Sequence, residues 1–314
     1  MSENPFESPN SPLEIDDLAN KPQPMASPMQ QPRLWTVWAV FGLSFVALIG
    51  VSIIASLAFL MPDIIDSIGN EVAPEGMTTS FIDKLTTPLG FLVTGFPPQL
   101  AIMLIALAAA HYSPVPFRER LGLTSTGLSA IQILIVALGS FLPAAIGMGI
   151  AILLTFVIPA DESAAKLWEN MTIEFAVPFV LFIALLPGFG EELLFRGYFQ
   201  RRLLQRWSPG LAIFSSSIVF GLVHIMPHTV VFAFFVGLWL GYIAWKIGSI
   251  WPTILAHVLI NGIWNIINIS HNLMDYPDSV YYVILGVTLL VGVICFVLSL
   301  PLLNREKPVA KTAI

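Results

Sequence analysis

The sequence predicts an all-α polytopic membrane protein with about eight transmembrane helices and both termini in the cytoplasm. Composition is the first observation behind this prediction, because 56% of the 314 residues are apolar and only 11% are charged. Soluble domains carry about 25% charged residues, so the deficit indicates lipid rather than a large aqueous core. The mean hydropathy of +0.82 indicates the same.

Eight apolar runs of nearly spanning length are the second observation. The hydrocarbon core takes about 20 apolar residues per helix. Backbone groups in lipid must bond within their own segment, so these runs are predicted to be helices. The fifth run is the shortest of the eight. The runs are Leu34–Met61, Leu89–His111, Ile131–Ile158, Phe175–Phe195, Leu211–Met226, Val230–Ile247, Ile250–Ile269 and Val280–Leu303.

The third observation is the distribution of Lys and Arg between the runs, which sets the orientation of a membrane protein. With eight spans, all but two of the 14 basic residues fall on one side, and Lys84 and Lys166 fall on the other. The loops on that other side are acidic, with Asp63 and Glu162 among their residues. The split predicts that both termini are cytoplasmic. The expected location is a bacterial-type cytoplasmic membrane.

Four segments are predicted along the chain. Residues 1–32 are polar and proline-rich, lack the apolar run of a signal peptide, and are expected to form a disordered cytoplasmic tail. Residues 33–172 hold the N-terminal transmembrane helices, and residues 173–270 hold a helical core with the candidate site. Residues 271–314 hold the last transmembrane helix and a short basic cytoplasmic tail.

Charge and cysteine content exclude two classes of function. The net charge is -6, and no basic stripe is available to bind phosphates, which excludes a nucleic-acid partner. Cys295 is the single cysteine of the chain and lies inside an apolar run. A disulfide framework and a thiolate metal cluster are therefore excluded as well.

Polar residues that are costly in lipid concentrate in the fourth, fifth and seventh runs. Such residues are functional candidates by default. An alternative interpretation is that they only join helices to one another by hydrogen bonds. The candidates are Glu191, Glu192, Arg196, His224, His257 and Asn261.

The two adjacent acids are predicted to have different roles. Residues four apart share a helix face, so Arg196 lies beside Glu192, and the pair offsets the desolvation of both charges. Glu191 is rotated by about 100° from Glu192. It is therefore free to project into a site, where a carboxylate serves as a general base. His257 and Asn261, also four apart, present two hydrogen-bond donors that suit an oxyanion.

The remaining positions refine this picture of one shared site. Glu191, His224 and His257 lie about 22, 20 and 16 Å from the predicted cytoplasmic ends of their helices, so a common site open toward the cytoplasm is feasible. Gly188 and Gly190 are small residues that are predicted to let a substrate approach the backbone closely. His228 follows a proline and is predicted to be an outer-loop residue.

Three motifs on successive apolar runs carry a family resemblance. They are Glu-Glu-x-x-x-Arg from Glu191, Phe-x-x-x-His from Phe220, and His-x-x-x-Asn from His257. Together they resemble the CAAX-processing and bacteriocin-processing family of intramembrane endopeptidases, also called the CPBP or Abi family, which includes the Ras-converting CAAX prenyl endopeptidase. The resemblance covers roughly residues 175–270 and implies a membrane-embedded peptidase that acts near the cytoplasmic side.

The resemblance also implies a role for each matching position. Glu191 would be the general base and would act with His224 on a water molecule. His257 and Asn261 would form the oxyanion hole. The supporting residues of the site would be Glu192, Arg196 and Phe220.

Cofactor, partners and an alternative function stay open at this point. The family is often labelled metalloprotease, and Glu191, His224 and His257 could hold zinc with an open fourth position. No cofactor is favoured, because a His-Glu-x-x-His motif is absent and Asn is a poor zinc ligand. The expected partners are a peptide or membrane-protein substrate and membrane lipid; prenylation of the substrate and the oligomeric state are not predicted. The alternative is a non-catalytic scaffold or an ion- or proton-coupled transporter.

Overall fold

The computed structural model describes residues 33–305 except residue 72 and residues 160–162, and these described residues form helices and connecting loops without any strand. The predicted all-helical class is thereby confirmed. The predicted disordered tail over residues 1–32 lies outside the described residues, as do residues 306–314 of the predicted basic tail.

The helices follow the predicted apolar runs, with three short additional helices in the loops. In chain order they are α1 Trp35–Gly69, α2 Pro74–Leu85, α3 Pro88–His111, α4 Phe117–Arg120, α5 Ala130–Gly139, α6 Phe141–Leu154, α7 Ser163–Glu169, α8 Ile173–Leu203, α9 Pro209–Leu222, α10 Pro227–Ile247, α11 Trp251–Met274 and α12 Asp278–Leu303. The helices α5 and α6 together form one span of 25 residues that is interrupted at Ser140.

Seven spans, rather than the predicted eight, are long and apolar enough to cross a bilayer within the described part of the chain. The exception is α9, whose 14 residues extend about 21 Å, against a hydrocarbon core of about 30 Å. It packs against α10, with Gly221 close to the Val230 carbonyl and Gly241 close to Ile213. This antiparallel hairpin brings the chain back to the level at which α9 begins. The protein is an integral membrane protein, and the side of its termini stays a prediction.

The centre of the fold is α8, which contacts α3 and α11 along its first part. Its residues Ile173–Glu192 are α-helical, Leu193–Gln200 form a π-helix, and a final turn ends at Leu203. Every residue of the π-helix is buried. π-Helical turns inside α-helices are rare and are frequently found at functional sites. This turn begins directly after the two adjacent acids.

Gly197 allows α8 to pack closely against Leu121 in the loop after α4. A Cβ atom at Gly197 would lie 2.6 Å from the backbone oxygen of Leu121. On another face of the π-helix, the Phe199 ring makes edge-to-face contacts with Trp38 and Phe41 of α1. The π-helix therefore packs closely against both α1 and the loop after α4.

Candidate active site

One cavity of about 440 Å³ collects the four residues that the sequence predicts to be catalytic. Glu191 from α8, His224 from the turn after α9, and His257 and Asn261 from α11 all line it. Most of the remaining lining is apolar, with several aromatic rings. The structure therefore brings together polar groups from three separate segments in a water-poor environment, where electrostatic interactions are strong.

Only one of the two carboxylate oxygens of Glu191 has a hydrogen-bond partner among the described residues. The residue is 4% exposed, and its Oε1 accepts a hydrogen bond of 2.9 Å from Nε2 of Gln99 in α3. Its Oε2 is buried and has no hydrogen-bond partner among the described residues. An unpaired buried carboxylate oxygen is costly, which makes this atom the natural place for a water molecule or a substrate group.

Glu192 and Arg196 form the predicted buried pair. Arg196 Nη1 donates to Glu192 Oε1 over 2.6 Å, and both side chains are fully buried. The guanidinium carbon lies 4.1 Å from the centre of the Phe220 ring, which adds a cation–π contact. Gly237 of α10 provides the space, because a Cβ there would lie 3.3 Å from Arg196 Nη2. A structural role for this pair stays a prediction.

His257 lies between the two glutamates rather than beside Asn261 alone. Its Nδ1 is 3.1 Å from Glu192 Oε1, and its Nε2 is 3.9 Å from Glu191 Oε2. An ionised carboxylate can only accept a hydrogen bond, so Nδ1 carries a proton. The Nε2 atom is then an acceptor in neutral histidine and becomes a donor only in the imidazolium form.

Asn261 has a structural partner that the sequence did not predict. Its Nδ2 donates a hydrogen bond of 3.1 Å to the backbone oxygen of Ile183 in α8. In a regular helix this oxygen would accept from the residue four positions later, which is Pro187 and has no N–H. Asn261 therefore replaces a helical hydrogen bond that the proline removes. An asparagine amide has two N–H donors, so one remains for another partner.

His224 is oriented by a backbone oxygen of α9, the helix that precedes it. Its Nδ1 lies 2.9 Å from the Phe220 oxygen, and because a carbonyl only accepts, Nδ1 is the donor and Nε2 the acceptor of the neutral ring. The Phe220 ring meets the imidazoles of both His224 and His257 edge to face. The next residue, Ile225, has φ of 64°, which is strained for a β-branched side chain. Such strain is concentrated at functional sites.

Two sequence-based interpretations are corrected by packing. The space beside the predicted open glycines is occupied, because a Cβ at Gly188 would lie 2.6 Å from a methyl group of Val258 and one at Gly190 3.2 Å from Met103. These glycines permit close helix packing, as small residues commonly do in membranes. His228 is not in a loop but in the first turn of α10, where its Nε2 is buried without a described partner.

The cavity extends toward the side whose loops are acidic. Its lining reaches Thr86, in the turn before α3, and Trp168 of α7, both on that side. The lining also includes Phe41 and Leu48 in the first half of α1, which begins on the basic side. The opening toward the cytoplasm stays a prediction.

The described side chains do not assemble into a metal site. Among them, no group of three His, Cys, Asp or Glu residues is placed to hold a metal ion. Of the proposed zinc ligands, His257 is turned to Glu192 through Nδ1, and His224 is turned to a backbone oxygen through Nδ1. Nε2 of both histidines stays available, and a histidine that binds metal commonly donates its other ring N–H to a carboxylate or a backbone oxygen. These contacts of Glu191, His224 and His257 are therefore compatible with zinc, and dependence on zinc is a matter for experiment.

Comparison with known proteins gives a family match in this region. Residues 173–263 match the family model described as type II CAAX prenyl endopeptidase Rce1-like, so this part of the chain is similar to the CAAX protease family. The resemblance predicted from the three motifs is confirmed. No curated protein gives a significant match to the chain. No solved structure gives a significant match either.

Proposed function

We propose that the protein is an intramembrane endopeptidase that hydrolyses peptide bonds of a peptide or membrane-protein substrate, with Glu191 as the general base. The observation that carries this proposal is the unpaired Oε2 of Glu191 in a cavity shared with two histidines and an asparagine. The match of residues 173–263 to a CAAX protease-type endopeptidase family supports peptide-bond hydrolysis as the reaction. The geometry supplies the candidate roles.

The hydrolytic step needs one water molecule and one proton carrier. Glu191 takes a proton from water, and the water oxygen attacks the carbonyl carbon of the scissile bond. When the carbon–nitrogen bond of the tetrahedral intermediate breaks, Glu191 returns the proton to the leaving amine. The acceptor Nε2 of His224 orients the same water. A general base of this kind contributes about 10²- to 10⁴-fold to the rate.

Stabilisation of the oxyanion is assigned to His257 and Asn261. With Nδ1 directed at Glu192, the imidazolium form of His257 donates from Nε2. Asn261 contributes the N–H that Ile183 does not use. Donors held in a low-dielectric site stabilise a developing negative charge without reorganisation. Gln99 completes the arrangement by fixing the Glu191 carboxylate through Oε1.

The substrate segment is proposed to be apolar and to enter from the side of Thr86 and Trp168. Both residues line the cavity together with Glu191, and most of the remaining lining is apolar. An extended apolar peptide can reach Glu191 along this path.

The test is a cleavage assay with the full-length protein in proteoliposomes and a mixture of apolar peptides of defined sequence. Glu191→Gln removes the base while keeping the shape, and cleavage is expected to fall at least about 100-fold. Glu174→Gln is the matched control, because Glu174 is an exposed acid in the first turn of the same helix. Equal activity of both variants would overturn the assignment. A transporter would instead move ions without forming products.

A chelator arm tests the zinc alternative in the same assay. The proposed glutamate mechanism predicts unchanged cleavage after treatment with a strong zinc chelator and removal of the chelator–metal complex. Activity that is lost on chelation and restored by added zinc would contradict the metal-independent mechanism.

A further inference from the structure

A second cavity of about 420 Å³ lies where α8 and α10 end and α11 begins, at the basic end of the helices. Arg120, Arg196 and Arg201 line it, and Glu119 is the acid that lines it. Its volume is far above the roughly 30 Å³ that one water molecule occupies in the liquid. It is separate from the candidate active site, although Arg196 borders it and holds Glu192 on the other side.

The positive charges around this cavity exceed the negative ones. Arg196 is neutralised by Glu192. Within the described part of the chain, no ion pair within 4.0 Å includes Arg120 or Arg201. Arg120 is nevertheless only 3% exposed. Buried charges are normally paired, so an uncompensated arginine of this kind indicates a missing anionic partner.

The guanidinium groups are held in place but not saturated. Arg120 Nε donates to Ser113 Oγ over 2.6 Å, and Arg201 Nη1 donates to the Gly248 oxygen over 2.9 Å. Each guanidinium has five N–H donors, and the described hydrogen bonds use one donor of each. Burial lowers the pKa of Arg120, and the positive charge of Arg202 lowers it further. A bound anion would offset the repulsion between these positive charges.

We propose that this cavity is a binding site for a phosphate-class oxyanion. The planar fork of arginine matches the geometry of phosphate and forms paired, charge-assisted hydrogen bonds with it. The site lies at helix ends, which is the depth of lipid headgroups. The phosphate can therefore belong to a lipid headgroup or to a ligand in solution, and the chemistry of recognition is the same.

The experiment measures ligand-dependent thermal stability of the full-length protein in a neutral detergent. Inorganic phosphate is titrated in one arm at constant ionic strength, and phosphatidylglycerol in mixed micelles is titrated in the other. A ligand that binds only the folded state raises the unfolding midpoint in a saturable manner. Saturation in the first arm identifies a soluble source, and saturation in the second identifies a lipid source.

Three variants define the site. Arg201→Gln is expected to weaken binding roughly tenfold, since it removes a charge-assisted hydrogen bond. Glu119→Gln is expected to tighten binding about threefold, because it removes an exposed like charge. The matched control is Arg118→Gln, which deletes an arginine of the same short helix that does not line the cavity. This control is expected to bind like the unmodified protein.

Two results would overturn the proposal. One is the absence of saturable stabilisation in both arms. The other is an equal loss of binding in Arg118→Gln and Arg201→Gln, which would indicate a diffuse surface effect. Should Arg201→Gln fail to fold, Glu119→Gln still decides, because Glu119 is exposed and the expected change is a gain in affinity.

Discussion

Asn261 and Pro187 should be energetically coupled, because the first replaces the hydrogen bond that the second removes. Asn261 Nδ2 donates to the Ile183 oxygen, which lacks its helical partner at position 187. Asn261→Ala leaves that oxygen unsatisfied within the membrane. Pro187→Ala restores a backbone N–H at the right position, so the same oxygen no longer depends on the asparagine.

The expected magnitudes follow from this exchange of partners. Loss of one partner from a buried carbonyl costs about 1–3 kcal/mol, and interhelical hydrogen bonds in membranes are worth roughly 0.6–2 kcal/mol. Asn261→Ala should therefore lower the free energy of unfolding by about 1–2 kcal/mol. In the Pro187→Ala background the same change should cost less than about 0.5 kcal/mol. The coupling energy is thus about 1 kcal/mol.

The assay is reversible unfolding in mixed micelles of the four proteins of this double-mutant cycle. Such a cycle isolates the interaction of the two positions from their separate effects. An equal cost of Asn261→Ala in both backgrounds would refute the hydrogen-bond exchange. Activity provides an independent readout, because the double variant should regain stability but stay poorly active if Asn261 also binds the oxyanion.

Three further predictions concern the site and its access. Gln99→Leu should lower kcat about tenfold with little change in KM, because Glu191 loses an orienting hydrogen bond; steady-state kinetics with unchanged kcat would contradict this. Glu192→Gln leaves Arg196 buried without a counter-charge, at a cost of about 3–5 kcal/mol, and a normal yield of monodisperse protein would disprove it. Thr86→Cys, in a Cys295→Ala background, should react with an impermeant maleimide added outside intact cells, and labelling only after lysis would reverse the predicted orientation of the cavity.

Much of the fold follows from local sequence patterns. Each predicted apolar run contains a helix, since apolar length and the need to satisfy backbone groups in lipid are local properties. The bounds follow less well. The helix of the first run, α1, continues past Met61 through Pro62 to Gly69. The helix of the fifth run, α9, stops at Leu222, before the strained turn at Ile225. Both helix ends depend on packing against neighbouring segments, which the length of an apolar run does not indicate.

The candidate site likewise combines local contacts, which the sequence predicts, with contacts between distant residues, which it does not predict. The spacing of four residues correctly predicted the pair of Glu192 and Arg196, because helix geometry alone determines it. Gln99 reaches Glu191 across 92 positions, so no periodicity indicates their contact. The signal available was a polar residue after two prolines in an apolar run, a pattern that marks a disturbed helix rather than a particular partner.

The most direct test of the central claim is a single-turnover cleavage reaction in isotopically labelled water, followed by mass spectrometry of the products. If water activated by Glu191 attacks the peptide carbonyl, the product formed by the unmodified protein carries one labelled oxygen in its new C-terminal carboxylate. Glu191→Gln should yield no product above background. Unlabelled product, or labelled product formed at the same rate by Glu191→Gln, would contradict the proposed role of this carboxylate.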